Sequence, residues 1–288
     1  MKELVIISGK GGTGKTSIVG SFAALARNQV MADCDVDAAD LHLLLEPRIR
    51  EHEEFFSSQS AVIDPERCTG CGTCREVCRY GAVSEDFVID PIACEGCGVC
   101  VHFCPQEAIE LRENRSGEWF ISETRFGPLV HARLGIAEEN SGKLVALVRE
   151  KAKEVARQEG RDLILVDGAP GIGCPVISSI TGATAVMVVT EPTLSGIHDM
   201  KRVVDLAGYF HIPVFVCINK FDLNQELTAQ VETYCRERDL KLTGKIPYDP
   251  VVTKAMVQGR TVVEYSSGRV TREIETMWRR IGYHLAEV

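Results

Sequence analysis

A chain of 288 residues with 45% hydrophobic and 25% charged side chains can bury one large core or two smaller ones. Its net charge of −9 argues against a general nucleic-acid binder, and no nucleic-acid partner is expected. No apolar run approaches the length of a membrane helix, so no stable membrane insertion is expected. The first residues read as a strand rather than a signal sequence, which points to a cytoplasmic protein. Twelve cysteines in a reducing compartment imply metal chemistry rather than disulfides, and eight of them lie between Cys68 and Cys104.

The apolar run Leu4-Val5-Ile6-Ile7 reads as a buried strand, and Ile18 to Ala26 reads as a helix. The loop between them, Ser8-Gly9-Lys10-Gly11-Gly12-Thr13-Gly14-Lys15-Thr16-Ser17, fits G-x-x-x-x-G-K-[ST] at Gly9, Gly14, Lys15 and Thr16. Glycines let successive backbone N–H groups curl around phosphate oxygens, and the helix N-terminus adds positive charge. Lys15 is expected on the β- and γ-phosphates and the Thr16 hydroxyl on Mg²⁺. Lys10 does not help the turn form. The pattern Lys-Gly-Gly-x-Gly-Lys-Thr at residues 10–16 resembles the deviant phosphate loop of the MinD/ParA/Mrp family, which includes the nitrogenase iron protein. That resemblance implies that Lys10 crosses to a partner subunit's nucleotide, in a homodimer with ATP at its interface. The plain alternative for Lys10 is a solvated lysine near an anion.

A short strand, Val30-Met31-Ala32, ends in Asp33-Cys34-Asp35-Val36-Asp37. Alternating carboxylates beside a phosphate loop suggest Mg²⁺ or water handling. The resemblance makes this Asp-x-Asp the first switch and gives Asp35 the water-positioning role. Capping of the next helix is the alternative for these acids. Ala38 to Leu45 reads as that helix, with His42 as a packed or surface residue. Glu51-His52-Glu53-Glu54 reads as the start of a polar linker.

A direct repeat of period 26 follows. Val62-Ile63-Asp64-Pro65 matches Val88-Ile89-Asp90-Pro91, and Cys68, Cys71, Cys74 and Cys78 match Cys94, Cys97, Cys100 and Cys104. Each copy is too short to bury a core alone. Each carries C-x₂-C-x₂-C-x₃-C, the bacterial ferredoxin run, whose fourth cysteine serves the other cluster. One [4Fe–4S] cluster is therefore assigned to Cys68, Cys71, Cys74 and Cys104, and a second to Cys94, Cys97, Cys100 and Cys78. Zinc would more often use C-x₂-C pairs with ligands further away. Cys104 is followed by Pro105 as in the run, whereas Cys78 is followed by Arg79.

Glu118 to Leu134 reads as two strands around a Gly127-Pro128 turn, with Trp119 and Phe120 as packing residues. Gly135 to Lys143 reads as a polar loop, either a surface linking the cysteine unit to the ATPase or a cap at Asn140 or Ser141. It enters a helix through about Gln158, whose apolar face is Leu144, Val145, Leu147, Val148 and Val155. Leu163 to Asp167 is a buried strand, and Asp167 is the natural second Mg²⁺ anchor beside a phosphate loop. Gly168 to Pro175 resembles the family's second switch. Cys174 follows Asp167 by seven residues, the spacing of a bridging-cluster ligand in the nitrogenase iron protein. No cysteine between Cys104 and Asp167 supplies the second ligand, and Cys217 and Cys235 do not form the C-x₂-C of Mrp-type carriers, so no bridging cluster is expected. Cys174 is left as a transient ligand, a redox contact or a small packed residue; Cys34 reads as packed.

Ala185 to Thr190 is a further strand, after which Ser195 caps a helix to about Phe210. Val214 to Lys220 is the next strand, and the resemblance gives Asn219 the adenine; a turn role is the alternative. In Leu242 to Asp249, the last strand and loop, the resemblance packs the loop at Pro247 against the base. Ile274, Met277, Trp278, Ile281 and Leu285 stripe a final helix with mixed charges opposite, so docking on the protein's own core is expected rather than on an anionic membrane.

The expected fold is α/β, a doubly wound and mostly parallel sheet formed by residues 1–60 and 112–288, with a small α+β ferredoxin-type domain inserted at 61–111. The expected activity is ATP hydrolysis coupled to electron transfer, toward an unknown redox or cofactor-accepting protein. An ATP-dependent cluster carrier and a MinD/ParA-like spatial organiser are the alternatives.

Overall fold

Short apolar runs that end in a polar residue become parallel strands here, because burial on both faces needs apolar side chains at every position except the last. The computed structural model describes residues 1–135 and 141–287. In chain order its elements are β1 (Lys2–Ser8), α1 (Lys15–Leu25), β2 (Gln29–Asp33), α2 (Leu41–Leu45), β3 (Arg48–Ile63), α3 (Thr73–Val77), α4 (Val99–Phe103), β4 (Ile109–Thr124), β5 (Gly127–Leu134), α5 (Ser141–Gln158), β6 (Leu163–Asp167), α6 (Cys174–Ile180), β7 (Ala185–Thr190), α7 (Leu194–Tyr209), β8 (Val214–Asn219), α8 (Gln225–Glu237), β9 (Lys241–Ile246), α9 (Val251–Val257), α10 (Val262–Tyr265) and α11 (Arg269–Glu287). The strands form one sheet in the order β3-β4-β5-β2-β6-β1-β7-β8-β9. The pairings from β5 through β9 are parallel.

Contacts divide the chain into two compact units. One comprises Met1–Glu53, Trp119–Arg133 and Ser141–Val288; the other comprises Glu54–Glu118 with a stretch beginning at Leu134. In the first unit the chain crosses from β1 over to β2, returns to fill the gap with β6, and then adds β7, β8 and β9 on the far side of β1. The strand order thus reverses beside β1, and a crevice opens at its carboxyl end. Alternate residues Leu4 and Ile6 of β1 and Ala185, Met187 and Val189 of β7 join one apolar cluster with α1, α2, α10 and α11. Their neighbours Val5, Ile7, Val186 and Val188 are equally buried and face the other way, toward the α5 and α7 side.

Helix α11 buries Val270, Ile274, Met277, Ile281 and Leu285 in that cluster, and Trp278 meets Phe22 with ring centroids 4.9 Å apart. The expected docking on the core holds. No helix among the described residues is long and apolar enough to cross a membrane.

Several local expectations are corrected. Glu51 to Glu54 is not a linker but lies inside β3, most of whose first half is exposed and so lacks an alternating pattern. The turn before β5 is Arg125-Phe126, with Gly127 and Pro128 opening the strand. The predicted helix from Ala38 is helical only over Leu41–Leu45. Thr193, not Ser195, caps α7, accepting the Gly196 N–H at 3.0 Å. Of the polar loop from Gly135, residues 136–140, including the proposed cap Asn140, lie outside the described residues.

Rings from four elements of the first unit form a column. His131 stacks on Phe120 at 4.9 Å, Phe120 on His52 at 4.7 Å, and His42 faces His131 at 6.2 Å. Burial first, then the nearby His42 and Arg133, push the His131 pKa down to about 4. The unfolded chain therefore takes up this proton near pH 6.5 and the folded chain only near 4. Stability present above pH 6.5 is lost as pH falls through this window. His131→Gln is expected to remove up to about 3 kcal/mol of the pH-dependent loss, read from urea midpoints between pH 7 and 4.

The second unit keeps the repeat in its geometry. Asp64 N–H donates to the Ala108 carbonyl at 2.7 Å and its counterpart Asp90 N–H to the Ala82 carbonyl at 2.8 Å. Gly70 and Gly96 have φ of 68° and 62°, and Gly72 and Gly98, which precede α3 and α4, have 85° and 74°. Its buried apolar cluster is small: Ala61, Cys74, Val83 and Ile109, with Cys78, Cys94, Cys100 and Cys104 packed against it.

Candidate functional site

The carboxyl ends of β1, β2, β6 and β8 deliver Ser8, Asp33, Asp167 and Asn219 to one region. The loop between β1 and α1 is fixed from several sides. Ser8 Oγ donates to the Lys10 carbonyl at 2.8 Å, and Asn219 Nδ2 donates to the Thr13 carbonyl at 2.7 Å. Gly14 has φ of 84°, and a Cβ there would stand 2.5 Å from Asn219 Nδ2, so only glycine fits. Gly9 backs onto α7: its Cβ would fall 2.1 Å from Asp199 Cβ.

The loop walls a cavity of about 580 Å³, a size that suits a nucleotide. Gly11, Gly12, Thr13, Gly14, Lys15, Thr16 and Ser17 line it, together with Asp35, Asn219 and Pro247, all residues assigned to nucleotide or Mg²⁺ from the sequence. Gly9, Lys10 and Asp167 are not on the wall. Gly9 acts through packing. Lys10 leans onto its own chain, within 3.4 Å of Thr193 Oγ1, 3.5 Å of Ser195 Oγ and 3.8 Å of Glu191 Oε2. Asp167 lies behind Lys15.

Lys15 is 5% exposed and pairs with Asp167 and, at 3.3 Å, with Asp35. Burial alone would lower its pKa, but Asp167 and Asp35 outweigh that, and the ammonium is held above its usual range. Asp35 is pushed up by burial, with Lys15 opposing. Asp33 is pushed well above the carboxylate range by burial and by Asp167. Asp33 does not reach the cavity. Its two oxygens accept the N–H groups of Asp35 and Leu41, each at 3.1 Å, and so clamp the segment that carries Asp35.

The donor set fits Mg²⁺. Asp167 Oδ2 is buried without a hydrogen-bond partner, Asp35 and Thr16 line the cavity, and Mg²⁺ characteristically takes one or two carboxylates together with substrate phosphates.

In the second unit, two further cavities divide the eight cysteines. One is lined by Cys68, Cys71, Cys74 and Cys104, the other by Cys78, Cys94, Cys97 and Cys100. These are the two quartets assigned from the repeat, each with its fourth cysteine from the other copy. Three cysteine sulfurs accept backbone N–H groups: Cys78 from Ala82 at 3.4 Å, Cys104 from Ala108 at 3.3 Å and Cys94 from Ala61 at 3.4 Å. These cysteines are the residues that would hold a cluster in each cavity; among the described residues no three His, Cys, Asp or Glu side chains stand together as a site for a single metal ion. The remaining cysteines differ. Cys34, Cys217 and Cys235 are buried, the last two with pKa values pushed up to about 12 and 11 by burial, so they are inert thiols. Cys174 is exposed at the start of α6.

Residues 4–262 match the model of the CobQ/CobB/MinD/ParA nucleotide-binding domain. The chain belongs to this family. The phosphate loop and the cavity it walls lie within the matched residues. The chain is 32% identical over 283 residues to the uncharacterised protein MJ0578 of Methanocaldococcus jannaschii, covering 97% of this chain and 96% of that protein. It is 25% identical over 279 residues to MJ0579 of the same organism, covering 93% and 95%. Among solved structures it resembles the septum site-determining protein MinD of Pyrococcus horikoshii complexed with Mg-ADP, at TM-score 0.60 and 16% identity over 100% of this chain and 99% of that one. It also resembles apo McdA of Cyanothece, at TM-score 0.61 and 15% identity over 98% and 100%. These likenesses show a MinD-type α/β fold with a mostly parallel sheet.

Sequence reasoning missed part of the wall. Lys220, Tyr248, Asp249, Val252 and Met256 all line the cavity. Val252 and Met256 lie one turn apart on α9, a helix not expected at all. Lys220 stands beside Asn219 with φ of 54°, and an Asn-Lys pair closing a strand was its one available signal.

Proposed function

We propose that the protein hydrolyses ATP as a nucleotide-switched homodimer, and that hydrolysis is coupled to electron transfer through two [4Fe–4S] clusters. The observation that carries this reading is Lys15, held between Asp35 and Asp167 where the phosphate loop walls the cavity. The loop N–H groups and Lys15 hold the β- and γ-phosphates; Thr16 and Asp35 on the cavity wall, with Asp167 behind Lys15, would hold Mg²⁺, which would neutralise phosphate charge. Asp35 orients a water that attacks the γ-phosphorus. The bond to the bridging oxygen breaks, ADP leaves with the electron pair, and the water's protons are carried off with the inorganic phosphate formed. Lys10 from the partner copy stabilises the same charge. Asn219 and Pro247 meet the base; one Nδ2 hydrogen and one Oδ1 lone pair of Asn219 remain for it beyond the bonds to Thr13 and Lys220.

The cysteine quartets support the second half. Cys68, Cys71, Cys74 and Cys104 hold one cluster and Cys78, Cys94, Cys97 and Cys100 the other; such clusters supply one-electron transfer. Full quartets favour retained clusters over labile ones, and so favour a redox partner over a cluster acceptor. A second reading, a MinD/ParA-like spatial organiser in which the cysteine unit only builds structure, draws support from the neighbours described as cell-division proteins, including MinD of Aquifex aeolicus.

Lys10→Ala tests the switch. Nucleotide binding is expected to persist, while ATP-dependent dimerisation is lost and turnover falls about a hundredfold or more, as for loss of a transition-state cation. Intact dimerisation and turnover in this variant contradict the sandwich.

A further inference from the structure

We infer that Glu191 is a positioning residue that holds Lys10 on its own chain until ATP and a second copy draw it away; this deepens the sandwich-dimer reading and rests on it. Glu191 follows β7 directly, and its side chain is 13% exposed. Oε2 lies 3.8 Å from Lys10 Nζ, while Oε1 lies 2.5 Å from Lys220 Nζ. Lys220 Nζ also donates to the Gly12 carbonyl at 3.3 Å. One carboxylate thus joins Lys10 of the phosphate loop to Lys220, which touches the same loop at Gly12.

The two lysines are placed differently. Lys220 lines the nucleotide cavity, and its backbone N–H is fixed by Asn219 Oδ1 at 3.0 Å. Lys10 is off the cavity wall and held by looser contacts, Glu191 and the hydroxyls of Thr193 and Ser195. A largely buried carboxylate left without a cation is costly. With Lys220 in place, Lys10 departs without stranding Glu191, so release breaks only the longer of two ion pairs. Glu191 therefore restrains Lys10 in the resting monomer, and Lys220 makes that restraint reversible. Removing the Glu191 charge eases release; removing Lys220 leaves Glu191 dependent on Lys10 and opposes it.

The test measures the dimer dissociation constant in saturating MgATP by sedimentation, and the rate of Lys10 acylation in nucleotide-free protein by mass spectrometry. ATP affinity is measured separately for each variant. Glu191→Gln is expected to tighten the dimer about fivefold and to speed Lys10 acylation about threefold. Lys220→Met is expected to weaken the dimer about fivefold at matched ATP occupancy. A merely structural role for Glu191 would not give opposite signs. Lys10→Ala and Lys10→Ala/Glu191→Gln are both expected to remain monomeric. If Lys10→Ala dimerises, the sandwich reading fails, while acylation still reports whether Glu191 holds Lys10. If Lys10→Ala is monomeric but Glu191→Gln leaves both dimerisation and acylation unchanged, or weakens the dimer, the role given to Glu191 is overturned.

Discussion

Replacing Lys15 by methionine is expected to abolish ATP turnover, lowering kcat at least about a thousandfold, because the charge developing on the phosphates loses its fixed cation. The same change should also destabilise the chain. Lys15 is the buried ammonium between Asp35 and Asp167, and Asp167 is 1% exposed with one oxygen already lacking a partner. Removing one member of such a buried pair costs about 3–5 kcal/mol. Lys15→Met combined with Asp167→Asn takes away the stranded charge. It should recover most of the stability and none of the turnover. Phosphate release and urea unfolding measure the two effects; turnover within tenfold of the parent would contradict the role given to Lys15.

Iron removal is expected to have the second large effect. The unit Glu54–Glu118 has a small apolar cluster of its own, Ala61, Cys74, Val83 and Ile109, with Ile63, Phe87, Ile89, Val101, Leu111 and four further cysteines packed against it. So small a core does not hold an isolated unit together, and binding energy at the cysteines becomes folding energy. Chelation under reducing conditions should therefore abolish amide-exchange protection across residues 54–118. Protection on β1, β6, β7 and β8 should remain. A chelated protein that kept protection around Val83 and Ile109 would show that the cysteines are not structural ligands. Cys71→Ser should remove one of two cluster signals and about four of about eight irons per chain, leaving the second quartet loaded.

What was legible in the sequence is what local chemistry specifies. Residues 4–7, 163–166 and 185–189 are apolar throughout because both faces of each strand are covered, so their elements and the polar residues that end them, Ser8, Asp167 and Thr190, follow directly. The phosphate loop is written in glycines whose conformations and contacts the fold requires, as at Gly14. The fourth cysteine of each run lines the same cavity as the first three of the opposite copy, the division that the ferredoxin run implies. What was not legible depends on distant parts of the chain. The first half of β3 is mostly exposed, so Glu51 to Glu54 look like a linker. Tyr248 and Met256 reach the cavity beside the phosphate loop only through tertiary packing, and no spacing rule links them to Lys15. The Thr193 cap was misplaced by two residues because Thr193 and Ser195 have equivalent hydroxyls, and only backbone geometry selects between them. The contact of Glu191 with Lys10 and Lys220 joins three distant positions and has no sequence signature.

The coupling of nucleotide state to the cysteine unit is tested most directly by electron paramagnetic resonance of the dithionite-reduced holoprotein, recorded with and without MgATP and again in Lys10→Ala. Two iron–sulfur signals are expected, and MgATP should change their line shape or midpoint potential in the parent but not in Lys10→Ala. Spectra and potentials identical with and without MgATP in a protein that dimerises and hydrolyses ATP would contradict the coupling and favour a MinD/ParA-like switch that is indifferent to its clusters.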